Sequence, residues 1–138
     1  MIKIHLKPFS TNDSKTPVVN RKTGKAKMIS TADYKVFEFR MIGELGRFEL
    51  PLIEKGEGVY ILFEFGFSSK SSDWDNPIKT TQDVVSKYLE FNDNQILIGA
   101  ARKQIVKKGE EYIAFKLYKS DEIKDWLKDV ENLTEDLK

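Results

Sequence analysis

Apolar residues recur along the chain with two periods, and the switches between them mark out its elements. Ile2, Ile4 and Leu6 alternate with Lys3, His5 and Lys7, the period of a half-buried strand. Tyr34, Phe37, Met41 and Leu45 recur at helical spacing and predict a helix over about residues 31–45. Ser30 or Thr31 serves as its N-cap, with a Ser30-x-x-Asp33 capping pattern. Phe37, Phe39 and Met41 also alternate, but the stripe is longer than a typical strand. Residues 57–67 form a strand rich in β-branched and aromatic types, its apolar run implying burial on both faces at least in part. Asn76 as N-cap and Pro77 at the first helical position open a second helix running to about Leu89, with Ile78, Val85, Tyr88 and Leu89 inside. Asn92-Asp93-Asn94 is turn chemistry. Residues 95–106 and 111–118 read as paired strands joined around Lys107-Lys108-Gly109-Glu110. Ile123, Trp126, Leu127 and Val130 stripe a last helix opening at Ser120 or Asp121.

The order is strand, helix, strand, helix, strand, strand, helix. It predicts an α+β domain with helices packed on a mixed or mostly antiparallel sheet. One domain is expected over residues 1–138, a length suited to a single core. No internal repeat is present. Residues 8–29 are polar, basic and rich in turn formers, and read as a loop; a loop this long is usually functional or mobile.

Composition narrows the chemistry. Apolar residues at 40% and charged residues at 33% fit a soluble globular chain. No run approaches the roughly 20 apolar residues of a membrane span, and the charged N-terminus does not resemble a secretory leader, so no membrane partner and a cytoplasmic location are the expectations. The chain has no cysteine, which excludes disulfides, thiolate zinc sites and a cysteine nucleophile.

Net charge is only +1, but the charges are segregated. Lys3, Lys7, Lys15, Arg21, Lys22, Lys25 and Lys27 stand against Asp13 alone in residues 1–30. Arg102, Lys103, Lys107 and Lys108 form a second basic run, and the tail after Ser120 is acidic. Such segregation can build a basic face suited to phosphate backbones, although a mixed, merely soluble surface is an equal reading of charge alone.

The carboxylates supply candidate chemistry. Asp73 and Asp75 lie between a strand and a helix, and Asp93 follows that helix. The helix ends lie about 18–20 Å apart at 1.5 Å per residue. The three acids therefore converge only if the Asp93 loop folds back. If they do, their repulsion favours a divalent cation, and an all-oxygen donor set with one histidine in the chain points to Mg²⁺ or Mn²⁺. Taken singly, Asp-x-Asp is commonly a cap, and Asp93 between two asparagines a turn residue. An EF-hand is excluded, since Pro77 and Ile78 stand where it needs a ligand and a glycine. Lys79 faces the positive end of the helix dipole, which suits a phosphate contact better than a capping role. His5, on a polar strand face, reads as exposed rather than as a base.

Asp73-x-Asp75-Asn76-x-x-Lys79, then a helix carrying Asp83, then Asp93-x-Gln95-Ile96 and Lys103, resembles the RusA family of Holliday junction resolvases. Pro8-x-Ser10-x-Asn12 and the basic stretch before Ser30 resemble its N-terminal part more loosely. The resemblance reaches about Tyr118 and leaves the acidic helix of about residues 120–138 outside. It implies a homodimeric, Mg²⁺-dependent endonuclease that nicks four-way junction DNA in recombination and repair. By position, Asp73, Asp75 and Asp93 match the family's essential acids and metal ligands, and Lys79 its essential lysine. Asp83 matches an acid of less certain role. Asn92 departs from the family's usual first acid of a pair, and Pro77 from its usual aliphatic residue.

On this reading Asp73, Asp75, Lys79 and Asp93 are the catalytic set. Lys15, Arg21, Lys22, Lys25, Lys27, Arg102 and Lys103 are the expected DNA contacts. Two rivals stand beside it: a non-catalytic, structure-selective DNA-binding module, and a metal-dependent phosphohydrolase of small nucleotides with a closed pocket around Asp75.

Overall fold

A computed structural model describes residues 1–137 as an α+β fold of six strands and three helices. The chain runs through β1 (Ile2–Ile4), β2 (Lys15–Val19), β3 (Ala26–Ser30), α1 (Ala32–Leu45) and β4 (Val59–Phe67). It continues through α2 (Ile78–Tyr88), β5 (Ile96–Ile105), β6 (Tyr112–Lys119) and α3 (Ile123–Thr134). Lys138, the last residue of the predicted acidic helix, lies outside the described residues.

The main sheet is mixed, with strand order β1-β6-β4-β5. β4 pairs parallel with β5 through the α2 crossover and antiparallel with β6. The expected pairing of the last two strands is therefore corrected: β5 and β6 are not neighbours, because β4 lies between them. The reason is burial. β4 carries apolar side chains on both faces, so the sheet gains most when this strand is central. The residues between Ile105 and Tyr112 cross the end of β4, a step of about 10 Å at two strand spacings.

Alternation along β4 feeds two cores. Ile61, Phe63 and Phe65 join Phe37, Met41 and Leu45 of α1 and Val84 and Val85 of α2 on one face. Leu62 joins Tyr118 of β6 and Trp126 of α3 on the other. The sheet is thus sandwiched, α1 and α2 against α3. Thr31 caps α1 by accepting from the Tyr34 amide, and Phe39 is exposed, which settles the helix against the competing strand reading. On the other face, the Trp126 indole N–H donates to the Ile61 carbonyl at 3.1 Å, and the Tyr118 hydroxyl donates to Asp129 at 2.7 Å.

A second correction concerns residues 8–29. They are not a loop: β2 and β3 form a separate antiparallel hairpin, in register from Lys15↔Ser30 to Val19↔Ala26. Its turn is closed by the Asn20 amide donating to the Lys25 carbonyl, and Asn20 Oδ1 accepts from the Lys22 and Thr23 amides. Gly24 takes the left-handed conformation the turn requires (φ +70°). Both faces of the hairpin are largely exposed. Its composition is therefore that of a loop, and the usual apolar alternation is too weak to announce it. Among the described residues, no helix is long and apolar enough to cross a membrane.

Candidate functional site

The site is assembled around the start of α2. That helix begins one residue later than expected: Pro77 is the flanking residue, and no side chain caps it. Asn76 acts instead through its backbone carbonyl, which accepts from the Thr11 amide at 2.9 Å and the Thr11 hydroxyl at 2.7 Å. One turn on, the buried Thr80 hydroxyl donates to the Phe9 carbonyl at 2.7 Å. These bonds clamp residues 9–11 onto α2. Thr31 completes the junction, its amide bonding the Ser14 carbonyl and its hydroxyl the Asp13 carbonyl. The basic hairpin is therefore rooted beside the acidic loop.

Asp73 and Asp75 are exposed on that loop, and among the described residues neither is ion-paired. Asp73 lines an open cleft of about 380 Å³ with Lys7, Ser10, Asp13 and Asn76. Asp13 is a site acid that sequence reasoning passed over; its only signal was its place beside the Pro8-x-Ser10-x-Asn12 stretch. Lys103 holds the loop from below: its ammonium donates to the Lys70 and Ser72 carbonyls and sits 5.8 Å from the centre of the Phe67 ring.

The Asp93 loop does fold back along α2. Glu90 leaves the helix in the left-handed region (φ +57°), and the Phe91 amide returns to the Ser86 carbonyl, while the Glu90 amide bonds the Lys87 carbonyl. This is a Schellman ending with glutamate where glycine is usual. Phe91 is buried, which drives the reversal. Asn92 then caps a short turn at Asp93–Gln95, accepting from the Asn94 amide. Asparagine fills this role as well as aspartate does, which accounts physically for Asn92 in this place. Gln95 anchors the turn from the other side by donating to the Glu54 and Glu57 carbonyls.

The result joins residues far apart in sequence. The Lys79 ammonium bonds Asp83 at 2.7 Å and Asp93 at 2.9 Å. Asp83 first, then Asp93, raises the Lys79 pKa, so the amine stays charged. In return Lys79 holds the Asp93 carboxyl below the usual carboxylate range, and the adjacent Gln82 side chain lowers it further. Tyr34, buried on the facing helix, has its pKa pushed up to about 12 by desolvation and then by Glu38, so its hydroxyl stays protonated.

The structure thus brings Lys79, Asp83 and Asp93 together, while Asp73 and Asp75 stay on the loop that precedes α2 and, among the described residues, no hydrogen bond or ion pair joins them to that trio. Among the described residues, no three acidic or histidine side chains form a ready cation cage. The donors are nonetheless all oxygen, with Asp73 and Asp75 exposed, and this chemistry fits a hard divalent ion.

The expected DNA contacts divide. Lys15, Arg21, Lys22, Lys25 and Lys27 are exposed on the hairpin, with Lys15 also reaching the Ser30 hydroxyl at 3.2 Å. Arg102 lies on the opposite sheet face with an internal partner, its guanidinium 3.0 Å from Glu64, and it donates to the Leu133 carbonyl. The Tyr112 hydroxyl shares Glu64, and burial raises the Tyr112 pKa. Comparison with protein-family models gives no match, and comparison with curated proteins gives no relative.

Proposed function

We propose that the chain is a structure-selective endodeoxyribonuclease of the RusA type, cutting four-way junction DNA as a homodimer with Mg²⁺ or Mn²⁺. One contact carries the reading. Lys79 and Asp93, 14 residues apart in sequence, meet at 2.9 Å on the helix that the exposed Asp73–Asp75 loop leads into. As an exposed pair it contributes little to stability, so Lys79 exchanges Asp93 for a phosphate at small cost.

In this reading Asp73, Asp75 and Asp93 hold the ion, which supplies charge relief at the phosphate and lowers the pKa of water. The chain's residues do the rest. The hairpin cations hold phosphate backbones without reading bases. Lys79, kept charged by its acids, turns toward the phosphate as negative charge develops there. Lys103 holds the Asp73 loop in place. Two copies related by a two-fold axis present two identical sites, as paired symmetric nicks require.

The test is a labelled synthetic four-way junction in Mg²⁺, with Asp75→Asn as control. Paired nicks by the wild-type protein, absent in the variant although it binds equally well, support the reading. An intact junction bound equally by both proteins ends it. That outcome favours the second reading, a non-catalytic DNA-binding module, to which the Lys79 ammonium, already committed to two carboxylates, lends support. The small-nucleotide phosphohydrolase is less favoured, since Asp75 is exposed.

A further inference from the structure

We propose that the apolar slot between the start of α2 and the edge strand β5 receives one unpaired nucleobase, stacked on Trp74. The inference rests on the reading above in one respect: the phosphate of that nucleotide belongs to the Asp73–Asp75 loop. The slot has a volume of about 410 Å³, inside the roughly 300–1,000 Å³ of small-molecule clefts. Trp74, Ile78 and Gln82, each four residues on from the last, form one wall, and Gly99 and Ala101 of β5 form another. Ile61 and Phe63 close the bottom.

Three features select a flat ring joined to a charged group. Trp74 is 54% exposed whereas Trp126 is buried, so a large aromatic face stands open to water beside an apolar cavity. Gly99 and Ala101 leave the facing wall almost bare, and a planar ring fits where a branched side chain finds few contacts. The rim is polar and the bottom is not. Trp74 stands between Asp73 and Asp75, and Gln82 lies beside Asp93. The candidate acids thus adjoin two of the slot's lining residues, Trp74 and Gln82, while the lining itself carries no charge.

A nucleotide has this division, an apolar ring tied to a phosphate, and the hairpin cations rooted at Asn76 complement a polyanion. Branch points supply unpaired or easily unstacked bases, and stacking on tryptophan tolerates any base, since each has a π face.

The experiment uses the full chain and a series of four-way junctions carrying 2-aminopurine at successive positions around the branch, with Ca²⁺ in place of Mg²⁺ to neutralise the acidic loop. Fluorescence, binding by anisotropy at fixed salt, and size-exclusion elution are read for the wild type, Trp74→Ala, Trp74→Phe and Ala101→Leu. Ala101→Leu fills the slot while keeping the tryptophan. Expected is a fluorescence change at one position for the wild type, lost in Trp74→Ala and Ala101→Leu and largely restored in Trp74→Phe. Junction affinity falls about 5- to 150-fold in Trp74→Ala and Ala101→Leu, one stacked base of ~1–3 kcal/mol at tenfold per 1.4 kcal/mol. The inference is overturned if no position responds, if Trp74→Ala retains the signal and the affinity, or if that variant shifts the oligomeric state with the base signal intact. Cleavage in Mg²⁺ is scored separately. A wild-type protein that shows the base signal but never cuts keeps the slot and loses the nuclease; one that cuts without any base signal does the reverse.

Discussion

Replacing Asp93 by asparagine separates a structural role from a chemical one. The side chain keeps its shape and can still accept from Lys79, but loses its charge. Asp93 and Lys79 are 37% and 55% exposed at the side chain, so theirs is a surface pair, of the kind that contributes about 0.2–1 kcal/mol. Lys79 retains Asp83 in the variant. The expected loss of stability is therefore below about 1 kcal/mol. At this chain length that moves the melting temperature by no more than roughly 3–5 °C. On the proposed reading Asp93 helps hold the ion, whose charge relief is worth several kcal/mol, so cleavage of the junction in Mg²⁺ is expected to fall at least about a hundredfold. Thermal unfolding by circular dichroism and single-turnover cleavage read the two effects on one preparation.

The pH dependence follows from the same pair. The Asp93 carboxyl is depressed in the folded chain, so its contribution is present above the unfolded pKa near 4 and lost as pH falls through the folded value. The Lys79 amine is raised, so its contribution is present below about pH 10 and fades only above that. Between pH 5 and 9 the wild-type and Asp93→Asn stabilities are expected to run parallel. A melting temperature lowered by more than about 10 °C would make Asp93 a structural keystone, and loss of cleavage would then say nothing about chemistry. Cleavage within threefold of wild type would remove Asp93 from the site.

Gly66→Ala is expected to destabilise by about 1–3 kcal/mol, the usual range for overpacking, measured by urea unfolding. An added Cβ would lie 2.4 Å and 2.5 Å from two ring carbons of Tyr112, the strand partner of Gly66. Because that ring is held by Glu64 and lies under Lys3, Tyr112→Ala in the same chain should relieve much of the loss, and strict additivity of the two changes would refute the clash. Changing Arg21, Lys22, Lys25 and Lys27 together to serine is expected to flatten the salt dependence of junction binding by up to roughly 3.6 in log–log slope, about 0.9 per phosphate contact. An unchanged slope in a filter-binding titration would take the hairpin out of the interface.

What the residues determined by themselves was local. The stripe Tyr34, Phe37, Met41, Leu45 specified α1 because helical periodicity reports which face is buried. The apolar run of β4 specified a strand covered on both faces, and the order of elements specified the α+β class. The acid and lysine spacing marked the loop and helix where the candidate site lies. Periodicity carries no information on which strands are neighbours, so the place of β4 between β5 and β6 emerged only when two cores competed for the same strand. The hairpin was illegible for the converse reason: exposed on both faces, it has no buried face to imprint a period, and it is held by the Asn20–Gly24 turn and bonds at its root. Tertiary structure alone turned Arg102 inward onto Glu64 and brought Asp93 back to Lys79. Burying Phe91 requires the chain to reverse at Glu90, and no spacing of charges along a sequence encodes that reversal.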